Sequence, residues 1–199
     1  MGFRAGWLAI CVILSGCGGG GGDSPGSGID PRLARLDIYA AQRIRVLGDP
    51  GAGVMGVAPT TGALPVDGSA RFTGFATLRV EGAQELVLIG DARLDVDFGT
   101  ARASGRMHRF FGTVPGRGVQ DFGGEITISD GPVARDLQLR YAGALSGAGQ
   151  LLAVSGTMTG VFLGDPVSAL SASDLDPLLA QNGVARTGIL VLVAEPTTP

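Results

Sequence analysis

The sequence predicts an all-β protein, an eight-stranded antiparallel up-and-down β-barrel with a short N-terminal helical segment. Three observations point there. From Ala70 onward the apolar residues recur with period two, the spacing of a half-buried strand. About eight such segments follow one another along the chain, a short one near residues 169–172 included. Glycines recur inside them, where they mark bends and close backbone contacts in a strongly curved sheet. Closing such a sheet removes its open edges.

The chain opens with one positive side chain, Arg4, and the apolar run "WLAICVIL" over residues 7–14. That run has the length of a signal-peptide core and is too short to cross a bilayer as a helix, which needs about 20 apolar residues. It ends in Leu14-Ser15-Gly16-Cys17, which resembles the bacterial lipobox. The resemblance implies cleavage after Gly16 and a diacylglycerol on the Cys17 sulfur. The stretch "GGGGGDSPGSG" that follows cannot build a core. It reads as a flexible tether with a span of roughly 18 Å. Cys11 leaves with the signal, so the mature domain is expected to hold no free thiol, disulfide or cysteine-based metal site. The predicted division is residues 1–16 as lipoprotein signal peptide, 17–29 as lipidated Cys17 and tether, 30–68 as helical segment and Pro/Gly-rich linker, and 69–199 as barrel.

"DPRLARLDIYAAQRIRVLG" is the one convincing helical pattern. Asp30 can cap it, Pro31 suits the first turn, and Gly48 and Pro50 stop it. Leu33, Leu36, Ala40, Ile44 and Leu47 form the expected apolar stripe. Its last part, "RIRVL", alternates and fits a strand as well. "GAGVMG" over residues 51–56 matches G-x-G-x-x-G, but Pro50 precedes it and two prolines follow, so no helix can open there to meet a pyrophosphate.

In "ELVLIGDARLDVDF", Leu86, Leu88, Ala92, Leu94, Val96 and Phe98 share one face, and Asp91, Arg93, Asp95 and Asp97 the other. A two-residue turn at Gly99-Thr100 sets Val96 against Ala103, Leu94 against Gly105, Ala92 against Met107 and Asp97 against Arg102. Large then opposes small on the inside, and carboxylates meet arginines on the outside. Phe72, Ala76, Leu78 and Val80 form another inward set, as do Leu152, Val154, Met158 and Phe162. The final segment, "TGILVLVAE", is apolar on both faces. Arg71, Arg79, Asp91, Arg93 and Arg102 on the outer faces argue against a membrane-spanning barrel, which needs an apolar outer band.

The hairpin "DVDFGTARASG" (95–105) and the segment "GTMTGVFLG" (156–164), with the lipobox and tether, resemble the barrel domain of transferrin-binding protein B, which recurs in factor H-binding protein and other surface lipoproteins. The resemblance covers roughly residues 69–195. It implies an outer-membrane lipoprotein, anchored through Cys17, exported toward the cell surface by a dedicated assembly protein and binding a host or nutrient protein or a small ligand. The transferrin receptor carries two lobes, each with a handle and a barrel. This chain has room for one barrel, so no binding residues carry over.

The residues point away from catalysis. The single histidine, His108, falls on the outer face beside Arg106. No nucleophile motif accompanies it. Asp91, Asp95 and Asp97 could suggest a hard cation, but they face arginines, so no metal and no cofactor are expected. The net charge of −3, with all fifteen basic residues arginine, gives no footprint for nucleic acid. Three functions stay open: a surface binding module, an envelope structural lipoprotein, and a lipocalin-like carrier with a hollow barrel. Phe75, Phe110, Phe111 and Phe122 would favour binding if they cluster outside. Phe72, Phe98, Met158 and Phe162 should fill the interior.

Overall fold

A computed structural model describes residues 30–82 and 84–197. The predicted signal peptide, the predicted lipidation site Cys17 and the predicted tether lie outside the described residues. The helix α1 (Pro31–Leu47) comes first. A small hairpin of β1 (Gly48–Asp49) and β2 (Val54–Met55) follows, joined by a 3-10 turn at Pro50–Ala52. The long strands are β3 (Ser69–Val80), β4 (Leu86–Asp97), β5 (Arg102–Val114), β6 (Gly118–Pro132), β7 (Asp136–Gly147) and β8 (Gln150–Leu163). Shorter ones are β9 (Ala169–Asp174), β10 (Leu178–Gln181) and β11 (Val184–Arg186), and β12 (Gly188–Pro196) ends the sheet.

The sheet is a closed eight-stranded antiparallel barrel in meander order. Closure comes from β12, whose residues 188–196 pair with residues 80–72 of β3. Each of the last two staves is built from two pieces. β9 and β10 share one stave along β8, while β11 and β12 share the next. The Asn182-Gly183 turn between them has φ of +51° and +79°, the positive pair that a two-residue hairpin requires. Between β9 and β10, residues 175–177 leave the ladder, and the Thr157 N–H of β8 loses its strand partner. Asp174 replaces it, its Oδ2 accepting from Thr157 N at 3.2 Å and from the Tyr141 hydroxyl at 2.9 Å. Burial, reinforced by that carboxylate, pushes the Tyr141 hydroxyl pKa upward.

The predicted hairpin register holds, with Asp97↔Arg102, Val96↔Ala103, Leu94↔Gly105 and Ala92↔Met107. The turn itself differs. It is a four-residue loop, residues 98–101, in which Ala101 takes φ of +53° and Asp97 Oδ1 accepts from Thr100 N at 2.9 Å. Inside, the aromatic rings of Phe72 and Phe98 stand 6.0 and 5.9 Å from that of Phe162, and Met107, Phe110, Phe122 and Met158 are fully buried beside them. The interior is packed with side chains.

The two rims differ. At the lower one, segment 58–68 crosses the barrel mouth on its way to β3. Thr60 N donates to Phe162 O at 2.9 Å, and Asp165 accepts from Thr61 N at 3.0 Å and Gly62 N at 3.2 Å. Leu64, Phe98, Val133 and Val167 pack against the core there. The upper rim carries residues 81–82 and 84–85 between β3 and β4, and the turns 115–117, 148–149 and 182–183.

Helix α1 lies on the outside of the barrel. Asp30 caps it by accepting from Arg32 N at 2.9 Å. Gly48 ends it with φ of +80°, where a Cβ would press on the backbone of Val54 and Met55. The ambiguous "RIRVL" is helical to Leu47. The predicted stripe is corrected. Of its members, Leu33, Ala40 and Leu47 are exposed and Leu36 and Ile44 partly buried, whereas the buried residues are Tyr39, Gln42 and Val46. This face is displaced by about a quarter-turn, since one residue advances about 100°. The reason is the surface beneath, where Asp91, Glu195 and the Thr73 carbonyl accept from arginine and glutamine rather than packing against leucine.

Candidate functional site

A β-bulge prepares the seam beneath α1. Arg109 takes φ of +55°, and the β5 register shifts on both sides of it. Met107 points into the barrel before the bulge, and Phe110 does so after it. Phe111 consequently faces out. Gly90 makes the room, because a Cβ there would stand 2.8 Å from the Phe110 ring. Phe75, Phe111, Leu163, Ala169 and Val193 then form a second apolar cluster under Tyr39 and Val46 of the helix. Phe75 and Tyr39 stack with ring centroids 5.3 Å apart.

Polar groups pin the helix over that cluster. Asp91, on the outer face of β4, is the hub. Arg35 Nη2 donates to its Oδ1 at 2.9 Å, Arg109 Nη1 reaches its Oδ2 at 3.1 Å, and the Tyr39 hydroxyl donates to Oδ1. The Arg35 guanidinium also lies 4.8 Å from the Phe111 ring centre, a cation–π distance. Burial and the bond to Asp91 push the Tyr39 hydroxyl pKa up to about 12. Toward the helix C-terminus, Gln42 Nε2 donates to Thr73 O at 3.1 Å and to Glu195 Oε2 at 3.0 Å, and Arg45 pairs with Glu195 at 2.6 Å.

At the helix N-terminus the seam opens into a surface cleft of about 800 Å³, lined by Arg32, Arg35, Arg109, Phe110 and Asp121. Three guanidinium groups in one cleft suggest an anion site, but each is already engaged. Arg32 pairs with Asp30 at 2.6 Å and Asp121 at 3.2 Å, and the other two share Asp91. A smaller cleft of about 450 Å³ lies over the β4–β5 hairpin, between Arg71, Asp95, Thr100 and Ser104. Burial there works against the Asp95 charge, yet Arg71 at 2.7 Å and Arg93 at 3.1 Å hold its carboxyl below the usual range.

Compared with known proteins, no family model matches this chain, and no curated protein or solved structure is significantly similar to it.

The residues singled out in the sequence fall as follows. Cys17 lies outside the described residues. Asp91 and Asp95 are paired with arginines, and among the described residues no group of three His, Cys, Asp or Glu side chains is placed to hold a metal ion. His108 sits on the outer face in register with Asp91 and Glu125, its Nδ1 buried without a hydrogen-bond partner among the described residues. Phe75 and Phe111 are outside the barrel but covered by the helix, and Phe110 and Phe122 are in the core, so the four aromatics form no exposed cluster. The sequence reading missed Arg35, Tyr39, Gln42 and Arg109. Two signals mark them: a second helical stripe at positions 32, 35, 39, 42 and 46, and two adjacent phenylalanines, which a strand of strict period two cannot bury on one side.

Proposed function

We propose that this chain is a lipid-anchored protein of the bacterial outer membrane, of the transferrin-binding protein B-like kind, whose barrel is a rigid stand for recognition on its outer surface. The anchor is read from the lipobox Leu14-Ser15-Gly16-Cys17 and the glycine tether after it. The observation that carries the binding role is the filled interior: with Phe72, Phe110, Phe122 and Phe162 fully buried in the lumen, a partner must be met on the outside. A protein or a small nutrient ligand engaged by the rim loops or the outer face of the barrel fits this arrangement. A dedicated export protein would bring the barrel to the cell surface. The filled lumen gives the lipocalin-like carrier no support. An envelope structural role draws support from the cleft arginines, all of them already neutralised by the protein's own carboxylates.

Two experiments test this. Metabolic labelling with palmitate should mark the wild type and leave Cys17→Ala unlabelled; equal labelling would refute the anchor. Affinity capture from whole cells and from growth medium, with the full anchored chain as bait, should retain one species in stoichiometric amount. Retention no greater than on bare beads would remove the binding role and favour the structural one.

A further inference from the structure

The outer surface of the barrel contains a sector poor in charge, bordered by Glu125 and carrying Asp176 between Leu175 and Leu178. Near the upper rim, the outward positions of β7 are Ala142, Ala144 and Ser146, and those of β8 are Leu151, Ala153 and Ser155. Beside them β10 presents Leu178 and Ala180. Leu151 is 54% exposed and Leu178 75%, and Leu175, just before β10, is 72% exposed. Three leucines standing out from a floor of alanine and serine form an apolar surface that water alone does not explain.

The position of this sector relative to the anchored end of the chain indicates what covers it. Helix α1 begins beside β6, where Arg32 reaches Asp121 at 3.2 Å and the cleft is lined by Gly123. Gly123 pairs with Ser146, Ser146 pairs with Leu151, and Leu151 exchanges hydrogen bonds with Asn182, whose N–H donates to Leu151 O at 2.8 Å. The start of the helix and the leucine sector thus lie at the same end of the barrel, two strand spacings apart, which is about 10 Å. The glycine- and serine-rich tether expected from the sequence, twelve residues between Cys17 and Asp30, would span roughly 19 Å. An acyl chain on Cys17 therefore holds this end, rather than the lower rim, within reach of the phospholipid headgroups.

We propose that the outer face of β7, β8 and β10 near the upper rim rests on the phospholipid surface, with Leu151, Leu175 and Leu178 entering the interfacial zone. The inference rests on the reading of Cys17 as the lipid-bearing residue. It fixes the orientation of the barrel: the β7–β10 side faces the membrane, while the lower rim and the charged β3–β5 side face away and are left for partners. The contact is carried by leucines and has no basic side chain, so it should not strengthen with anionic lipid, and Asp176 should weaken it modestly there at low salt.

The test uses the full acylated chain in phosphatidylcholine vesicles with and without phosphatidylglycerol. A single cysteine carrying an environment-sensitive fluorophore is placed at Ala153→Cys, within the sector, or at Ser104→Cys, on the charged β5 face. Nitroxide-bearing lipids should quench the Ala153 probe several-fold more than the Ser104 probe in phosphatidylcholine vesicles, and no more strongly when phosphatidylglycerol is present. Adding Leu151→Asp and Leu178→Asp should abolish that difference while the protein still floats with the vesicles. Equal quenching of the two probes in floated protein overturns the proposal and leaves the anchor intact. Concentration-dependent shielding of the Ala153 probe in detergent, without vesicles, would assign the face to a second copy of the chain and also overturns it. Failure of the wild type to float, with Cys17→Ala behaving alike, refutes the anchor, and the proposal falls with it.

Discussion

Phe110 and Phe111 are neighbours in the chain and serve opposite sides of one wall. Phe110 belongs to the barrel interior, a cluster of thirty buried hydrophobic residues among those described, all of them on the barrel strands from β3 to β12. Phe111 belongs to a cluster of seven, held between the wall and one helix. The interior is closed by the sheet's own hydrogen bonds and cannot open in part. The outer seam is covered by a single element, so the helix can leave while the barrel stays. This difference explains the chemistry of each. The interior is almost purely apolar because strand pairing already fixes its geometry. The seam adds Asp91, Arg35, Gln42 and Glu195 because one helix on a curved wall needs directional bonds to fix its position.

Paired substitutions probe this contrast most strongly. Phe110→Ala should cost about 3–5 kcal/mol, since the lumen cannot collapse around the lost ring. The loss should appear as a lower urea midpoint for the whole barrel. Phe111→Ala should cost less, about 1–3 kcal/mol, because undocking of the helix sets a ceiling on the penalty. Its signature should be faster amide exchange in α1 with the strands still protected. Equal global losses from both would mean that the seam and the interior melt as one unit.

The hub at Asp91 offers a finer probe. Asp91→Asn should weaken helix docking by about 1–2 kcal/mol, because Arg35 and Arg109 lose a shared counter-charge. Tyr39→Phe should cost about 1 kcal/mol through the lost hydroxyl bond. The Tyr39 pKa gives the pH dependence. Its folded value, about 12, stands above the ordinary 10, so its contribution is complete below pH 10 and is lost as pH rises toward 12. Exchange in α1 should therefore accelerate in that alkaline window, and the acceleration attributable to this group should be absent from Tyr39→Phe.

The smallest effect is expected at the lower rim. The Thr61 amide, the Thr61 hydroxyl and the Gly62 amide hold the Asp165 carboxyl below its ordinary 3.8. A lowered value contributes stability that is present above the ordinary pKa and lost as pH falls through the folded one. Acid below pH 4 should loosen segment 58–68, and the Thr61 and Gly62 amides should report it. Asp165→Asn should loosen the same amides at neutral pH.

The barrel was legible because its signal repeats. Alternation identifies the inward face of each long strand independently, and a small residue opposite a large one, as with Gly105 and Leu94, fixes the hairpin register. The final segment's two apolar faces were also visible: Leu190, Leu192 and Ala194 enter the barrel, while Val191 and Val193 lie under the helix. Three features were harder to read. The buried helix face depended on the acceptors beneath it, Asp91, Glu195 and the Thr73 carbonyl, which lie far away in the chain. The bulge at Arg109 reverses the inside–outside alternation, which a strict period cannot anticipate. The break at residues 175–177 divides a stave between β9 and β10, although Asn182-Gly183 marks the hairpin that follows. Of the functional reading, the proposed anchor rests on the lipobox-like Leu14-Ser15-Gly16-Cys17, and no local pattern points to a partner.

Closure of the sheet is the claim on which the filled lumen, the helix-covered seam and the proposed membrane contact all depend, and amide hydrogen exchange across the β3–β12 junction tests it most directly. If the barrel is closed, the pairing of residues 72–80 with 188–196 should protect β3 and β12 as strongly as the internal strands β4 to β7. If β3 and β12 exchange as fast as the turn at residues 115–117, they are free edges of an open sheet, and the account is wrong.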